Sequence, residues 1–312
     1  MNLNNIYYIL ILLCFISGCS TQNFYPNSTA KLSNDAMLQH LQYLSSDALR
    51  GRRTGTVGNQ LAQHYIAKQL KKNNIISLGD SYLLPFSINS LFNRRQGNNV
   101  VGVIEGTEFA DRFIVLSAHF DHIGSKGNKI YNGADDNASG TAALIHYAKL
   151  IQASPLRHSV ILLFSDGEEI NLLGAKAFIQ QNPKLIAKTL LNINIDMIAG
   201  SVKTKRLHYI SRGLSKILST ADISSLQQQS YTINLKKGFR QQNRDISRKT
   251  SWHRASDHAA FHRQNIPFIY YGVGHHKNYH QISDTFENIN HAFFKQAVDV
   301  IYQQISFIDQ KL

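Results

Sequence analysis

The chain has 312 residues, of which 43% are hydrophobic. This is enough apolar material for a sizeable core, so the composition argues against a disordered protein. Its two cysteines, Cys14 and Cys19, lie near the N-terminus, so any metal in the rest of the chain must be held by His, Asp or Glu. The formal net charge is +13, and the segment between residues 201 and 254 contains twelve Lys and Arg against two Asp. Because this segment lacks nucleic-acid-binding motifs, we expect no nucleic-acid partner.

The N-terminal segment is typical of an exported protein. Its apolar stretch, about a dozen residues long, is too short to cross a hydrocarbon core of ~30 Å, which favours a cleaved signal over an anchor. The run ISGC at residues 16–19 resembles the lipobox of bacterial lipoproteins. We therefore expect a signal peptide over residues 1–18, a lipidated Cys19 and a polar tether over residues 19–32. An ordinary signal peptide or an uncleaved anchor is the alternative.

With Ser20 after the cysteine, the resemblance to lipoproteins implies a lipid anchor and a place in the cell envelope. We expect an outer-membrane lipoprotein that faces the periplasm or the exterior. The remaining residues, 33–312, show no internal repeat and no second boundary, so we expect them to form a single domain.

Secondary structure can be predicted in chain order from hydrophobic periodicity. Two helices are predicted first, at residues 33–45 and 57–72. Strands are predicted at residues 98–106, 113–119, 159–165 and 190–197, where β-branched residues are frequent. Further helices are predicted at residues 139–152, 172–181, 214–229, 257–264 and 292–308. Strands that alternate with helices favour an α/β fold: a three-layer sandwich with a mixed, centrally parallel sheet flanked by helices.

Three predicted strands end in residues that can bind metal. The first ends at His119 and continues to Asp121, the next runs into Glu168 and Glu169, and the last runs into Asp196. Open α/β sheets bind ligands at the carboxyl ends of their strands. Asp121 is placed to orient the imidazole of His119, and of the two glutamates one can bind metal while the other transfers protons, although acids also favour a helix N-terminus.

Two further residues complete the candidate set. Asp136 lies in the acidic stretch NGADDNASGT, and His280 lies in the later stretch NYHQISDT. Together with the strand-end residues they offer two imidazoles and three carboxylates. Shared between two ions ~3.5–4 Å apart, with Asp136 and a hydroxide as bridges, this set suits a site with two zinc ions. The basic stretch at residues 236–254 is a candidate loop near this site.

Six ordered motifs carry a resemblance to a known family. They are AHFDHIG, NGADDNASGTAAL, FSDGEEINLLGAKAF, NIDMI, SDHAAFHRQNIP and HQISDT. They resemble metallopeptidase family 28, which includes aminopeptidases, glutamate carboxypeptidases and glutaminyl cyclases, and whose fold is the zinc aminopeptidase or phosphorylase-hydrolase-like sandwich. The chain has neither a GxSxG elbow nor an HExxH helix, so serine hydrolases and single-zinc peptidases lose support.

The resemblance implies two Zn²⁺ ions per chain. His119 and Asp196 would bind one zinc, Glu169 and His280 the other, and Asp136 would bridge them.

The resemblance also implies the remaining roles. Asp121 would be the partner of His119, Glu168 the general base, and the peptide bond between Asp136 and Asn137 would be cis. Where family aminopeptidases can carry an oxyanion-binding Tyr, three residues before the SDH motif, this chain has His253.

The resemblance implies an aminopeptidase that acts on peptides with a free N-terminus. A metal-bridging hydroxide would attack the first peptide bond, with Glu168 as the general base. A carboxypeptidase, a glutaminyl cyclase and a non-catalytic binding lipoprotein are the alternatives. The cyclases use one zinc and do not need His119, whereas the surplus of basic residues between 201 and 254 could bind a substrate carboxylate.

Overall fold

The structure is a computed structural model that describes residues 34–90, 93–229, 231–239 and 251–312. The described residues belong to one compact unit. The signal and tether predicted for residues 1–32 lie outside them, as does most of the predicted basic loop.

The described residues contain a series of α-helices and several short turns of 3₁₀ or π geometry. The helices are α1 (Asn34–Leu44), α2 (Val57–Lys72), α3 (Gly140–Ala153), α4 (Leu173–Gln181), α5 (Pro183–Ile186), α6 (Thr220–Gln228), α7 (His258–Arg263) and α8 (His291–Lys311). The short turns are Asp47–Arg52, Ala134–Ser139, Leu214–Lys216, Trp252–Arg254 and Phe286–Asn288. None of the described helices is both long enough and apolar enough to cross a membrane.

Within the same residues, nine strands form one mixed sheet and two short strands form a hairpin. The strands are β1 (Ile76–Ser77), β2 (Leu83–Ser90), β3 (Asn93–Ile104), β4 (Phe109–His119), β5 (Gly124–Lys126), β6 (Lys129–Tyr131), β7 (His158–Ser165), β8 (Thr189–Ile195), β9 (Arg206–Arg212), β10 (Asn234–Lys237) and β11 (Phe268–Gly272). The sheet order is β1-β3-β7-β4-β8-β11-β9-β10, and β2 also pairs with β3. The four central strands, β7, β4, β8 and β11, are parallel to one another.

Both faces of the central strands are buried, which explains their nearly continuous apolar sequences. Along β4, Ile114 and Leu116 pack into the large core on one face, while Val115 packs into the smaller core on the other. The larger core takes residues from α1, α2, α3 and α8, and the smaller one from α4 and α7. The predicted three-layer α/β sandwich, with its mixed and centrally parallel sheet, is therefore confirmed.

One predicted helix is wrong in its first half. Residues 214–229 form a 3₁₀ turn at Leu214–Lys216 and a separate helix that begins at Thr220. Ser219 interrupts the pattern, because its backbone is extended and its hydroxyl accepts a hydrogen bond from the N–H of Asp222 over 3.1 Å. The prediction also omitted β2, β9 and β10, which lie toward the sheet edges, and the buried strand β11.

Candidate metal centre

The carboxyl ends of three neighbouring parallel strands meet at the candidate site. β4 ends at His119, β7 ends at Ser165, and β8 ends one residue before Asp196. The register pairs His119 with Ser165 and Ser117 with Asn194, so Asp196 comes to lie beside His119. Nε2 of His119 is 3.3 Å from Oδ1 of Asp196. The sheet thus brings together side chains that are far apart in the sequence.

Asp136 lies between the imidazoles of His119 and His280. It belongs to the turn Ala134–Ser139, and its peptide bond to Asn137 is cis. Asn137 attaches this turn to the sheet, since its Nδ2 donates to the last carbonyl of β8 over 2.9 Å. Oδ1 of Asp136 is 3.4 Å from Nε2 of His119, and Oδ2 is 3.1 Å from Nε2 of His280. One carboxylate oxygen therefore faces each imidazole.

Asp121 holds the acidic loop that follows β7. Its Oδ1 accepts a hydrogen bond from the N–H of Glu168 over 3.1 Å, and its Oδ2 accepts one from the N–H of Glu169 over 3.3 Å. Nδ1 of His119 is 3.2 Å from the backbone carbonyl of Asp121 and 3.6 Å from its carboxylate. Asp121 consequently positions both the imidazole of His119 and the two glutamates.

The possible metal ligands form two adjoining groups, and within each group the ligand atoms lie within 4.8 Å of one another. One group contains His119, Glu168 and Asp196, and the other contains His122, Asp136 and Glu169. His280 adjoins the second group, because its Nε2 is 3.5 Å from Oε1 of Glu169. The five predicted metal ligands and Glu168 therefore lie in this one cluster, and Asp121 contacts it through His119 and the two glutamates.

His122 lies in the cluster but was not predicted. Its side chain is fully buried, and Nδ1 is 2.8 Å from Oε1 of Glu169 and 3.7 Å from Oδ2 of Asp136. The signal in the sequence that could have indicated it is its position three residues after His119, in the segment that leaves the end of β4.

A buried arginine supports the loops around the cluster. The guanidinium of Arg52 has no exposed surface. It donates to four backbone carbonyls, those of Phe120 (2.7 Å), Leu44, Asn132 (2.6 Å) and Gly133 (3.0 Å). These bonds connect the end of β4 to the turn that carries Asp136, so Arg52 fixes the distance between the two ligand-bearing segments.

A second support lies behind Asp136. The carboxylate of Asp284 accepts hydrogen bonds from the N–H groups of Asp135 and Asp136, each over 3.0 Å. Asp135 in turn accepts from Nε2 of His276 over 2.7 Å and from the N–H of Gly200 over 2.7 Å. The loop that carries His280 is thereby tied to the turn that carries Asp136.

The carboxylates of the cluster differ in the direction in which the fold shifts their pKa. Burial, with added repulsion from Asp196, raises the pKa of Glu168 well above its ordinary value against the attraction of His119. Burial also raises the pKa of Asp196. Burial would likewise raise the pKa of Glu169, but the imidazoles of His122 and His280 outweigh it and hold that pKa at about 2. Glu168 therefore retains a proton more readily than Glu169 does.

His253, which stands where family aminopeptidases can carry an oxyanion-binding Tyr, packs at the start of β11, whereas the ring of Tyr279 lies beside the cluster. His253 is exposed, and its ring contacts the edge of the Phe268 ring, with the centroids 6.2 Å apart. The ring of Tyr279 stacks on His280 at a centroid distance of 3.9 Å. Burial and the nearby Asp136 carboxylate raise the pKa of Tyr279 well above its ordinary value, so its phenol remains a hydrogen-bond donor beside the cluster.

The donor set fits divalent zinc. Tetrahedral zinc with bonds of ~2.0–2.1 Å separates its ligand atoms by about 3.3 Å. The contacts of His119 with Asp136 and Asp196 are 3.4 and 3.3 Å, and those of His280 with Asp136 and Glu169 are 3.1 and 3.5 Å. Oε1 of Glu169 is buried without a hydrogen-bond partner in the described part of the chain, as expected of an atom that faces an ion.

Comparison with known proteins gives a family for the chain. A family model described as peptidase family M28 matches residues 99–305. The chain is similar to aminopeptidase YwaD of Bacillus subtilis, with 24% identity over 220 residues, which cover 67% of this chain and 44% of that protein. It is also similar to a glutamate carboxypeptidase 2 homolog of Caenorhabditis briggsae, with 28% identity over 181 residues, which cover 54% of this chain and 21% of that protein. The chain thus spans less than half the length of either relative.

The fold is similar to that of a crystal structure of BSAP, a zinc aminopeptidase from Bacillus subtilis. The TM-score is 0.68 at 14% sequence identity, and the match covers 87% of this chain and 94% of that one. At this identity the likeness concerns the fold alone. The family model, however, spans more than half of the sequence and includes every residue of the cluster. The chain belongs to peptidase family M28.

Proposed function

We propose that this chain is a dizinc aminopeptidase, which hydrolyses the first peptide bond of peptides with a free N-terminus. The observation that carries the proposal is the position of Asp136, with one oxygen toward His119 and the other toward His280. A carboxylate in this position can bridge two ions ~3.5–4 Å apart. His119 and Asp196 would hold one zinc, and Glu169 and His280 the other.

The proposed reaction depends on Glu168 as the proton carrier. Bound zinc would polarise the scissile carbonyl and lower the pKa of the attacking water. Glu168 would accept a proton from that water and deliver it to the leaving amine. Burial raises the pKa of Glu168, which suits a group that must hold a proton between the two steps. The hydrogen bond from its N–H to Asp121, over 3.1 Å, would keep it in place.

Three alternatives make different demands on the site. A carboxypeptidase is supported by the name of one relative and by the basic residues between 201 and 254, which could bind a substrate carboxylate. A glutaminyl cyclase with one zinc would not need His119, yet His119 contacts Asp196 at 3.3 Å. A binding protein without activity would not need Glu168, which is present in the cluster and half-buried.

The test is release of a chromophore from aminoacyl substrates that have a free or an acetylated N-terminus, with zinc and with chelator. We expect turnover of the free substrates alone and its loss with chelator. Equal cleavage of acetylated substrates would refute the exopeptidase proposal. Peptides with a free or amidated C-terminus test the carboxypeptidase alternative, because only that enzyme would require the free carboxylate.

A variant tests the role of Glu168. Glu168→Gln cannot accept the proton, so we expect kcat to fall at least ~10²-fold while the bound zinc content is unchanged. Glu105→Gln is the matched control, since Glu105 is exposed and outside the cluster. Normal turnover by zinc-loaded Glu168→Gln would remove the proposed general base.

We further propose that Cys19 carries lipid and that the protein is an outer-membrane lipoprotein of the cell envelope. The support is the sequence ISGC at residues 16–19, followed by Ser20. Labelling of cells with a radioactive fatty acid should mark the protein, and Cys19→Ala should abolish the label. Equal labelling of both proteins would refute the lipid anchor.

A further inference from the structure

His122 is an imidazole for which the proposed reaction has no role. Its side chain has no exposed surface, and neither ring nitrogen has a hydrogen-bond partner among the described residues. Its ring lies against Gly133, where an added Cβ would come within 2.6 Å of the ring carbons Cγ and Cδ2. Close packing thus fixes the plane of the ring and aims Nδ1 into the cluster.

His122 and His280 flank the same two carboxylate oxygens. Nδ1 of His122 is 2.8 Å from Oε1 of Glu169 and 3.7 Å from Oδ2 of Asp136. Nε2 of His280 is 3.5 and 3.1 Å from those same atoms. The four distances bracket the separation of about 3.3 Å that tetrahedral zinc imposes on pairs of its ligands.

A simple hydrogen bond between His122 and Glu169 does not account for this arrangement. The distance of 2.8 Å would suffice, but Nδ1 and Oε1 are both buried without a hydrogen-bond partner among the described residues, so their contact lacks the required angle. Two polar atoms that lie close together without pointing at one another are expected when both point at the same third atom beside them. An ion bound to both supplies that atom.

We propose that His122, through Nδ1, is a further ligand of the ion held by Asp136, Glu169 and His280. This proposal rests on the proposed metal site. With His122 the second ion has two imidazoles and two carboxylates, a complete tetrahedral set. The first ion has His119, Asp136 and Asp196, and its remaining position, near Glu168, is open to water or substrate. The cluster therefore contains one closed site, which binds zinc more tightly, and one open site.

The ligand count of the tight site can be measured without any variant. One equivalent of zinc is added to the metal-free protein, and X-ray absorption spectroscopy counts the imidazoles bound to it. We expect two, from His122 and His280. A count of one would overturn the proposal, because the first site and a second site without His122 each offer a single imidazole.

Variants supply an independent readout. In a competition titration with a chromophoric chelator, we expect His122→Ala to weaken zinc binding at the tight site at least ~100-fold and at the other site less than ~3-fold. Loss of a group that only orients a metal ligand typically weakens metal binding by about 10- to 100-fold, so a larger loss at the tight site indicates a direct ligand. His64→Ala is the matched control, since His64 is exposed on α2. An unchanged tight site in His122→Ala would overturn the assignment.

The outcomes separate this proposal from the proposed function. Wild-type protein that binds no zinc would refute both. Wild-type protein that binds two zinc ions and cleaves free aminoacyl substrates, but whose tight ion has a single imidazole, would refute only the role of His122.

Discussion

His258 should make the protein sensitive to acid. Its imidazole is buried between the rings of Phe268 and Tyr270, each at a centroid distance of 4.7 Å. Nε2 donates to the carbonyl of Trp252 over 2.9 Å, while Nδ1 has no hydrogen-bond partner in the described part of the chain. Burial lowers the pKa of His258 to about 3, and the hydrogen bond to the carbonyl of Trp252 offsets only part of this effect.

The sign and size of the effect follow from proton linkage. Between the unfolded pKa of about 6.5 and the folded pKa of about 3, the unfolded chain binds a proton at His258 that the folded chain does not. The free energy of unfolding therefore falls as the pH falls below 6.5, by about 1.4 kcal/mol per pH unit. From pH 7.5 to pH 5 the contribution of His258 to stability should fall by about 2 kcal/mol.

The assay is denaturant unfolding of the wild type and of His258→Gln at pH 7.5 and pH 5. Glutamine keeps a donor for the carbonyl of Trp252 but does not titrate, so the variant should lose about 2 kcal/mol less than the wild type between the two pH values. His64→Gln is the control, since His64 is exposed and should behave as the wild type does. Parallel pH dependences for the wild type and His258→Gln would refute the reasoning.

Three further outcomes are expected. Arg52→Lys should lower the free energy of unfolding by about 3 kcal/mol or more, since one ammonium cannot serve four buried carbonyls; a loss below ~1 kcal/mol in denaturant unfolding would contradict this. Gly133→Ala should weaken zinc binding at least ~10-fold and destabilise by about 1–3 kcal/mol, because φ is +59° and the new Cβ would lie 2.1 Å from the carbonyl of Asp136. Chelator titration and unfolding measure both effects against the control Gly79→Ala, where an added Cβ meets nothing within 4 Å. Chelation of the wild type should lower its Tm, since zinc at a hundred times its Kd stabilises by about 2.7 kcal/mol, and an unchanged Tm would count against a zinc site.

The prediction of the site from the sequence depended on local information. Runs of apolar β-branched residues predict buried strands, and the residue types at their ends are visible in the sequence. His119 and Asp196 could therefore be placed at one edge of the sheet, and the structure sets them 3.3 Å apart. The wrong helix at residues 214–229 shows the limit of the same method, because one capping serine outweighed the apolar pattern around it.

Side chains whose neighbours come from distant segments could not be predicted in this way. Arg52 donates to carbonyls 68 and 80 residues further along the chain, and in the sequence it is one of several arginines in a short basic stretch. His122 similarly reads as an ordinary histidine after a strand. Its separation from Glu169 and Asp136 depends on how three loops pack.

The sequence by itself therefore determined the α/β sandwich, the strand ends and the residue types of the candidate metal site, because periodicity and ligand chemistry are properties of short segments. The tertiary structure alone decided which of those side chains are buried, which form hydrogen bonds and which lie beside carboxylates without a hydrogen-bond partner among the described residues. The physical reason is that desolvation and charge interactions depend on distances of a few ångströms between segments that the sequence separates. Glu168 and Glu169 show it most directly: they are adjacent in the chain, yet the fold raises the pKa of the first and lowers that of the second.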